Sequence, residues 1–217
     1  MLTVIGVELI MARVPSARLV LRTKAWGPIL AMALTFLSAL FIPLQYTIFL
    51  GAGLSLLLYV VASSHKLNLK EAIRLDDGGW EMHEAPKELA PGRATVFVVQ
   101  GLDFFAEVPV LADQMPPAKD VSGAVAILVI RDMRTITSTG IRWLERYAKE
   151  LRENGSVLML ADVNPLVLET LKKSGALEIV GAENIFPATS RVLASENMAW
   201  DAAQKWLEAN TAIDASA

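Results

Sequence analysis

The chain has 217 residues, a net charge of −3 and no cysteine, and 53% of its residues are apolar. Disulfides and thiolate metal sites are therefore excluded, and an acidic chain of this kind lacks the basic stripe that a nucleic-acid surface needs. The mean hydropathy of +0.42 is high for a soluble domain, and the excess is concentrated: no charged residue occurs from Ala25 through Ser64, a run about twice the length of a bilayer span.

In chain order, Met1–Met11 (MLTVIGVELIM) is apolar but too short to span a membrane alone. It lacks the basic start and small-residue cleavage site of a signal peptide, and reads as the end of a helix whose beginning lies upstream. ARVPSARLVLRTK follows, with Arg13, Arg18, Arg22 and Lys24 and no acid, a one-sign loop of the kind that stays in the cytoplasm. Residues 1–25 are thus expected to be a helix end plus a basic cytoplasmic loop.

As a single helix, the uncharged stretch Trp26–Ser64 would be about 60 Å long, double the hydrocarbon thickness. It must fold back, and Pro43 and Gln45 mark the turn. The expectation is two transmembrane helices within 26–64, at Trp26–Ile42 and Gln45–Ala62, with Trp26, Tyr46 and Tyr59 as interfacial anchors. Gly51, Gly53 and Ser55 form a small-residue face suited to close helix contact. His65, Lys66, Lys70 and Arg74 follow, so both ends of the hairpin are basic and both are expected on the cytoplasmic side. The competing reading, a helical hairpin buried in a soluble globule, lacks the stripe of polar residues that would give it a wet face.

Residues 65–92 read as a linker with a turn at Asp76-Asp77-Gly78-Gly79 and an edge strand at Trp80–Glu84. The paired carboxylates Asp76 and Asp77 are ordinary solvated turn residues. His65 and His83 have no ligand-like spacing around them.

From residue 93 to 217 strands and helices alternate. Arg93–Gly101 reads as a strand, LDFF as a loop, and AEVPVLADQM as a helix that Pro109 permits only near its first turn. Ala124–Met133 is an apolar run of the kind buried on both faces, the central strand of a parallel sheet. It leads to a Ser-Thr-Gly turn, where Ser138 or Thr139 can accept from the unpaired N–H groups of the next helix. The partial positive charge of that helix start can hold a phosphate, or the hydroxyl can simply cap it. The helix runs from Ser138 to about Asn154, with Ile141, Leu144, Tyr147 and Leu151 on one face and Gly155 as its stop. Ser156–Val163 is a second buried strand. A helix follows with Asn164 as N-cap, Pro165 at its first position, Lys172 and Lys173 in its last turn and Gly175 ending it. A short strand at Asn184–Phe186 and a final helix, capped by Ser195 and ending near Asn210, complete an α/β arrangement of a mixed sheet against several helices.

No G-x-S-x-G elbow or H-E-x-x-H occurs, no histidine lies near Ser138, and neither G-x-x-x-x-G-K-[ST] nor G-x-G-x-x-G is present to cradle a nucleotide. The expectation is a non-enzyme with no catalytic residue, cofactor or metal.

GLDFFAEV (Gly101–Val108), AILVIRDMRTITSTGI (Ala126–Ile141) and GSVLMLADVNPLVLETLKKSGALEIVGAENIFP (Gly155–Pro187) together resemble a STAS domain. That fold is shared by anti-sigma factor antagonists and the cytoplasmic tails of SulP-family (sulfate permease-like) anion transporters. GLDFFA is similar to the transporter version, and the hairpin before it resembles the last two membrane helices of such a transporter. The resemblance implies an α/β STAS domain preceded by an all-α transmembrane hairpin, in the C-terminal part of a multi-pass secondary transporter of the inner (plasma) membrane. The STAS domain would face the cytoplasm and regulate transport or hold partners, and the substrate site would lie on upstream helices not in this chain. In antagonists the loop reads Asp-Ser-Ser-Gly and its first Ser is phosphorylated. Thr137, Ser138, Thr139 and Gly140 align with it, so Ser138 falls on the phosphorylatable position and Thr137 replaces the acid. These four residues are the candidate phosphorylation or partner-docking loop. The implied partners are the lipid bilayer, a cytoplasmic protein, and a second copy through the membrane or STAS regions, with no nucleic acid. The alternative is a complete membrane-tethered STAS regulator, antagonist-like, that works by protein–protein binding.

Overall fold

In the computed structural model, residues 26–64, 68–100, 108–119, 121–131 and 133–214 are described. The expected helix end and basic loop of residues 1–25, and most of the GLDFFAEV segment, lie outside these. The chain divides into two compact units between His65 and Lys66.

The first unit holds two helices that pack on one another, α1 (Trp26–Phe41) and α2 (Leu44–Ser64). Pro43 separates them, and its carbonyl accepts from Tyr46 N–H at 3.0 Å to start α2. A Cβ on Gly51 would sit 2.9 Å from Thr35 Oγ1, so the missing side chain is what allows this approach. A Cβ on Gly53 would meet nothing within 4 Å, so Gly53 does not set the approach of α1 to α2.

Among the described residues, no helix is long and apolar enough to cross a membrane, so the expected pair of membrane spans is not shown. Pro43 ends the first helix early, so α1 has 16 residues and a length of about 24 Å against a hydrocarbon core of about 30 Å. Even so, both helices present large apolar side chains outward, among them Phe36, Leu40, Phe41, Phe49 and Leu56.

The second unit is built on a six-stranded sheet of order β2-β1-β3-β4-β5-β6. Its strands are β1 (Asn68–Arg74), β2 (Trp80–Glu84), β3 (Ala94–Gln100), β4 (Val125–Val129), β5 (Val157–Val163) and β6 (Ile185–Pro187). β1 runs antiparallel to both β2 and β3, and the remaining neighbours are parallel. β2 is an edge strand as expected. β1 is a correction, because it falls within the stretch read as linker. Its charged residues hid it: Lys70 forms an ion pair with Glu84 on β2, and Glu71 takes Arg93, just ahead of β3, at 2.6 Å, so these two adjacent polar positions serve pairs with neighbouring segments rather than solvent alone.

Every residue of β4 is buried, and the strand feeds two cores. Ala126 and Leu128 point to one face, under α3 (Val108–Gln114), α4 (Ser138–Glu153), α5 (Pro165–Ser174) and α6 (Ala176–Val180). Val125, Ile127 and Val129 point to the other, covered by α7 (Ala194–Asp214) through Ala199, Ala203 and Leu207. Spacing of four residues puts these three on one stripe of the helix. Central burial on both faces is the arrangement expected for a parallel strand between helical layers.

Candidate functional site

The candidate loop leaves the end of β4 and enters α4. A turn closes behind the strand, with Met133 N–H donating to Ile130 O at 3.1 Å. The capping group is Thr137, not Ser138 or Thr139: its backbone is extended and its Oγ1 accepts from Gly140 N–H at 3.2 Å. The first-turn N–H groups of a helix lack intrahelical partners, and the residue just before the helix is the one placed to meet them. Ser138 and Thr139 are the first two helical residues and are exposed, whereas Gly140 is buried. A Cβ at Gly140 would lie 3.1 Å from Ile136 Cγ1 and 3.4 Å from Val108 Cγ2, so the helix start sits hard against the loop and α3. The cavity beneath, about 20 Å³ and lined by Leu111, Leu128, Met133, Trp143 and others of that kind, is apolar and of about the smallest volume that holds a water. Behind the loop, Trp143 stacks on Tyr147 with ring centroids 5.4 Å apart, and Tyr147 donates its hydroxyl to Pro116 O at 2.8 Å. Burial first, and then the Glu150 carboxylate, push the Tyr147 hydroxyl well above the ordinary phenol range.

Of the four loop residues, Ser138 and Thr139 form an exposed hydroxyl rim, with Thr137 half-buried beside them and Gly140 buried against the apolar base. Thr137 performs here the N-capping that Ser, Thr, Asp and Asn side chains supply.

The structure also assembles a cluster that motif reading missed, on the other face of the sheet. Arg131, just past β4, pairs through Nε with Asp162 of β5 and through a terminal nitrogen with Glu196 of α7 at 3.2 Å. Both carboxylates are buried. Asp162 has a φ of 58°, uncommon for a residue with a side chain, and its N–H donates to Ser195 Oγ at 2.7 Å. Ser195 Oγ in turn donates to Phe186 O at 2.9 Å. Ser195 therefore ties α7 to the strand ends instead of capping the helix, whose first residue is Ala194. The available signal was an Asp inside an otherwise apolar strand, together with an Arg immediately after the central one. Strand carboxyl ends are where open α/β sheets gather functional groups. Among the described residues, no group of three or more His, Cys, Asp or Glu could hold a metal ion. Asp76 and Asp77 sit in the β1–β2 turn, where Asp77 Oδ1 accepts from Gly79 N–H at 2.7 Å.

Residues 88–191 match the family model described as the STAS domain. No curated protein matches the chain in sequence. Among solved structures, one of SLC26A9 superposes with a TM-score of 0.67 at 16% identity, covering 89% of this chain and 32% of that one. The murine Solute Carrier 26 family member A9 anion transporter in its inward-facing state gives 0.66 at 16% identity, over 89% and 31%. A sulfate transporter family protein from Wolinella succinogenes gives 0.43 at 22% identity, over 56% and 93%. The chain spans about a third of the length of the two SLC26A9 chains it matches. At these identities the likeness is one of fold, and over 89% of the chain it takes in more than the second unit alone.

Proposed function

With residues 88–191 a STAS domain, we propose that this chain is the C-terminal part of a SulP-type anion secondary transporter of the inner (plasma) membrane. In this reading residues 26–64 form a two-helix hairpin in lipid, and the STAS domain on the cytoplasmic side regulates transport or holds partners. The anion site belongs to helices that this chain does not contain.

The observation that carries the proposal is the outward display of apolar side chains by α1 and α2: Phe41 is 85% exposed and Phe49 77%, and neither helix contains a charge. In water a continuous apolar surface of this kind marks an interaction site or an aggregation hazard; in lipid it is the ordinary outside of a helix. α2, with 21 residues, reaches about 31 Å, enough for the hydrocarbon core. The shorter α1 is accommodated by local bilayer thinning, at fractions of a kcal/mol per Å. The fold likeness to an anion transporter supports the same reading. The test is alkaline carbonate extraction of the full chain reconstituted in liposomes. The chain should stay with the lipid pellet, and a Leu37→Arg/Phe49→Arg variant should move largely to the supernatant. Full release of the unmodified chain would end the proposal.

The exposed hydroxyls of Ser138 and Thr139 at the start of α4 favour a second reading, a membrane-tethered STAS regulator that docks a cytoplasmic protein or a second copy through this rim. A phosphate on Ser138 would be favoured by the helix dipole and would change the charge of the docking face. Capture of a cytoplasmic protein that persists in cells lacking related transporters, and is lost in Ser138→Asp, would favour this second reading over the first.

A further inference from the structure

The sheet face under α7 is not filled along its whole length. Beside β1, β3 and β4, ahead of the first turns of α7, lies a cavity of about 320 Å³, at the lower end of the range for small-molecule sites. Ala72, Val96, Val98 and Val129 form its walls with the indole of Trp80, and Arg131 and Glu196 are its charged residues. Val192 and Leu193 stand at the rim, 75% and 39% exposed, with Leu193 held at a φ of 62°.

One guanidinium, Arg131, serves two carboxylates, Asp162 and Glu196, whose side chains are 3% and 8% exposed. Glu196 gives its Oε1 to Arg131, while its Oε2 is buried and has no hydrogen-bond partner among the described residues. A buried carboxylate oxygen left without a donor is costly. What Glu196 Oε2 lacks is a donor, and the cavity wall beside it is apolar, with the indole of Trp80, a ring that already takes the Arg74 guanidinium at 5.9 Å from its centroid.

We propose that this cavity is a binding site for a small amphipathic amine, with its hydrocarbon or aryl body against Val96, Val98, Val129 and Trp80 and its ammonium group donating to Glu196. An anionic headgroup would meet the Glu196 carboxylate and is disfavoured, although Arg131 is present. This site is separate from the Thr137–Gly140 rim, which lies on the face of the sheet carrying α4, and it does not depend on the transporter reading.

The experiment is isothermal titration of the full chain in lipid nanodiscs, blanked against empty nanodiscs, with phenethylamine, 2-phenylethanol and 3-phenylpropanoate as probes. The amine should bind at least tenfold more tightly than either comparator. Val98→Phe, which fills the cavity, should abolish its binding, and Glu196→Gln should bring it to the level of the alcohol. Circular dichroism and thermal melts establish that each variant is folded, and the ranking of the three probes on the unmodified chain decides the matter if a variant is not. No heat from the amine above the blank, equal or tighter binding of the alcohol or the carboxylate, or binding that survives Val98→Phe would each overturn the proposal.

Discussion

Phe41 and Phe97 are the same side chain in two regions of one molecule, 85% exposed in the first and 0% in the second. In the second unit the apolar residues are sorted: β4 is buried throughout and α4 buries one stripe, and the buried charges Glu71, Asp162 and Glu196 are each paired with an arginine. In residues 26–64 there is no such sorting, and large apolar groups face outward around both helices. On the reading proposed above, the two regions follow different rules because they meet different surroundings. A water-facing helix needs a polar face, whereas a lipid-facing one needs none.

The contrast can be broken at its buried end first. Phe97→Ala should destabilise the second unit by about 3–5 kcal/mol, read as a shift in its denaturant midpoint, whereas Phe41→Ala should leave that midpoint unmoved. Equal effects would show that the two regions are not physically distinct. Next in size is Gly140→Val, whose side chain meets Ile136 and Val108 at the start of α4. Overpacking there should cost about 1–3 kcal/mol.

The candidate rim gives a smaller and sharper test. Thr137→Ala should lose about 1 kcal/mol with the cap, and Thr137→Asp should restore it. Ser138→Ala, at an exposed position, should stay within about 0.5 kcal/mol. Chemical denaturation of the three variants checks this, and the reverse order would return the cap to Ser138. The smallest effect belongs to Tyr147, whose hydroxyl pKa is raised by burial. An unfolded tyrosine ionises near pH 10 while the folded one does not, so stability is retained below about pH 10 and falls as pH rises above it. Tyr147→Phe should flatten that alkaline slope in a pH series of melting temperatures.

The parts of this fold legible in the residues were those with one dominant signal. The doubly buried β4 announced itself by an unbroken Val/Ile/Leu run, and α5 by Asn164, Pro165 and Gly175, each of which the structure places in its capping role. β1 stayed hidden because Lys70 and Glu71 look like linker residues until their partners Glu84 and Arg93 are beside them. The candidate loop was found but its parts were shifted by one, since sequence alone does not say which of three adjacent hydroxyls precedes the first helical turn. The Arg131, Asp162 and Glu196 cluster was out of reach for a different reason. Its members are drawn from β5, α7 and the end of β4, and only the crossover connections of the sheet bring them together.

The most direct measurement takes nitroxide labels placed singly at Phe36, Phe49 and Leu166, all exposed positions, in the full chain reconstituted in liposomes, and compares collision rates with oxygen and with a polar nickel complex. If residues 26–64 lie in lipid, the labels at 36 and 49 will favour oxygen and the label at 166 will favour nickel. Labels at 36 and 49 that favour nickel as strongly as the one at 166 would contradict the account at its root.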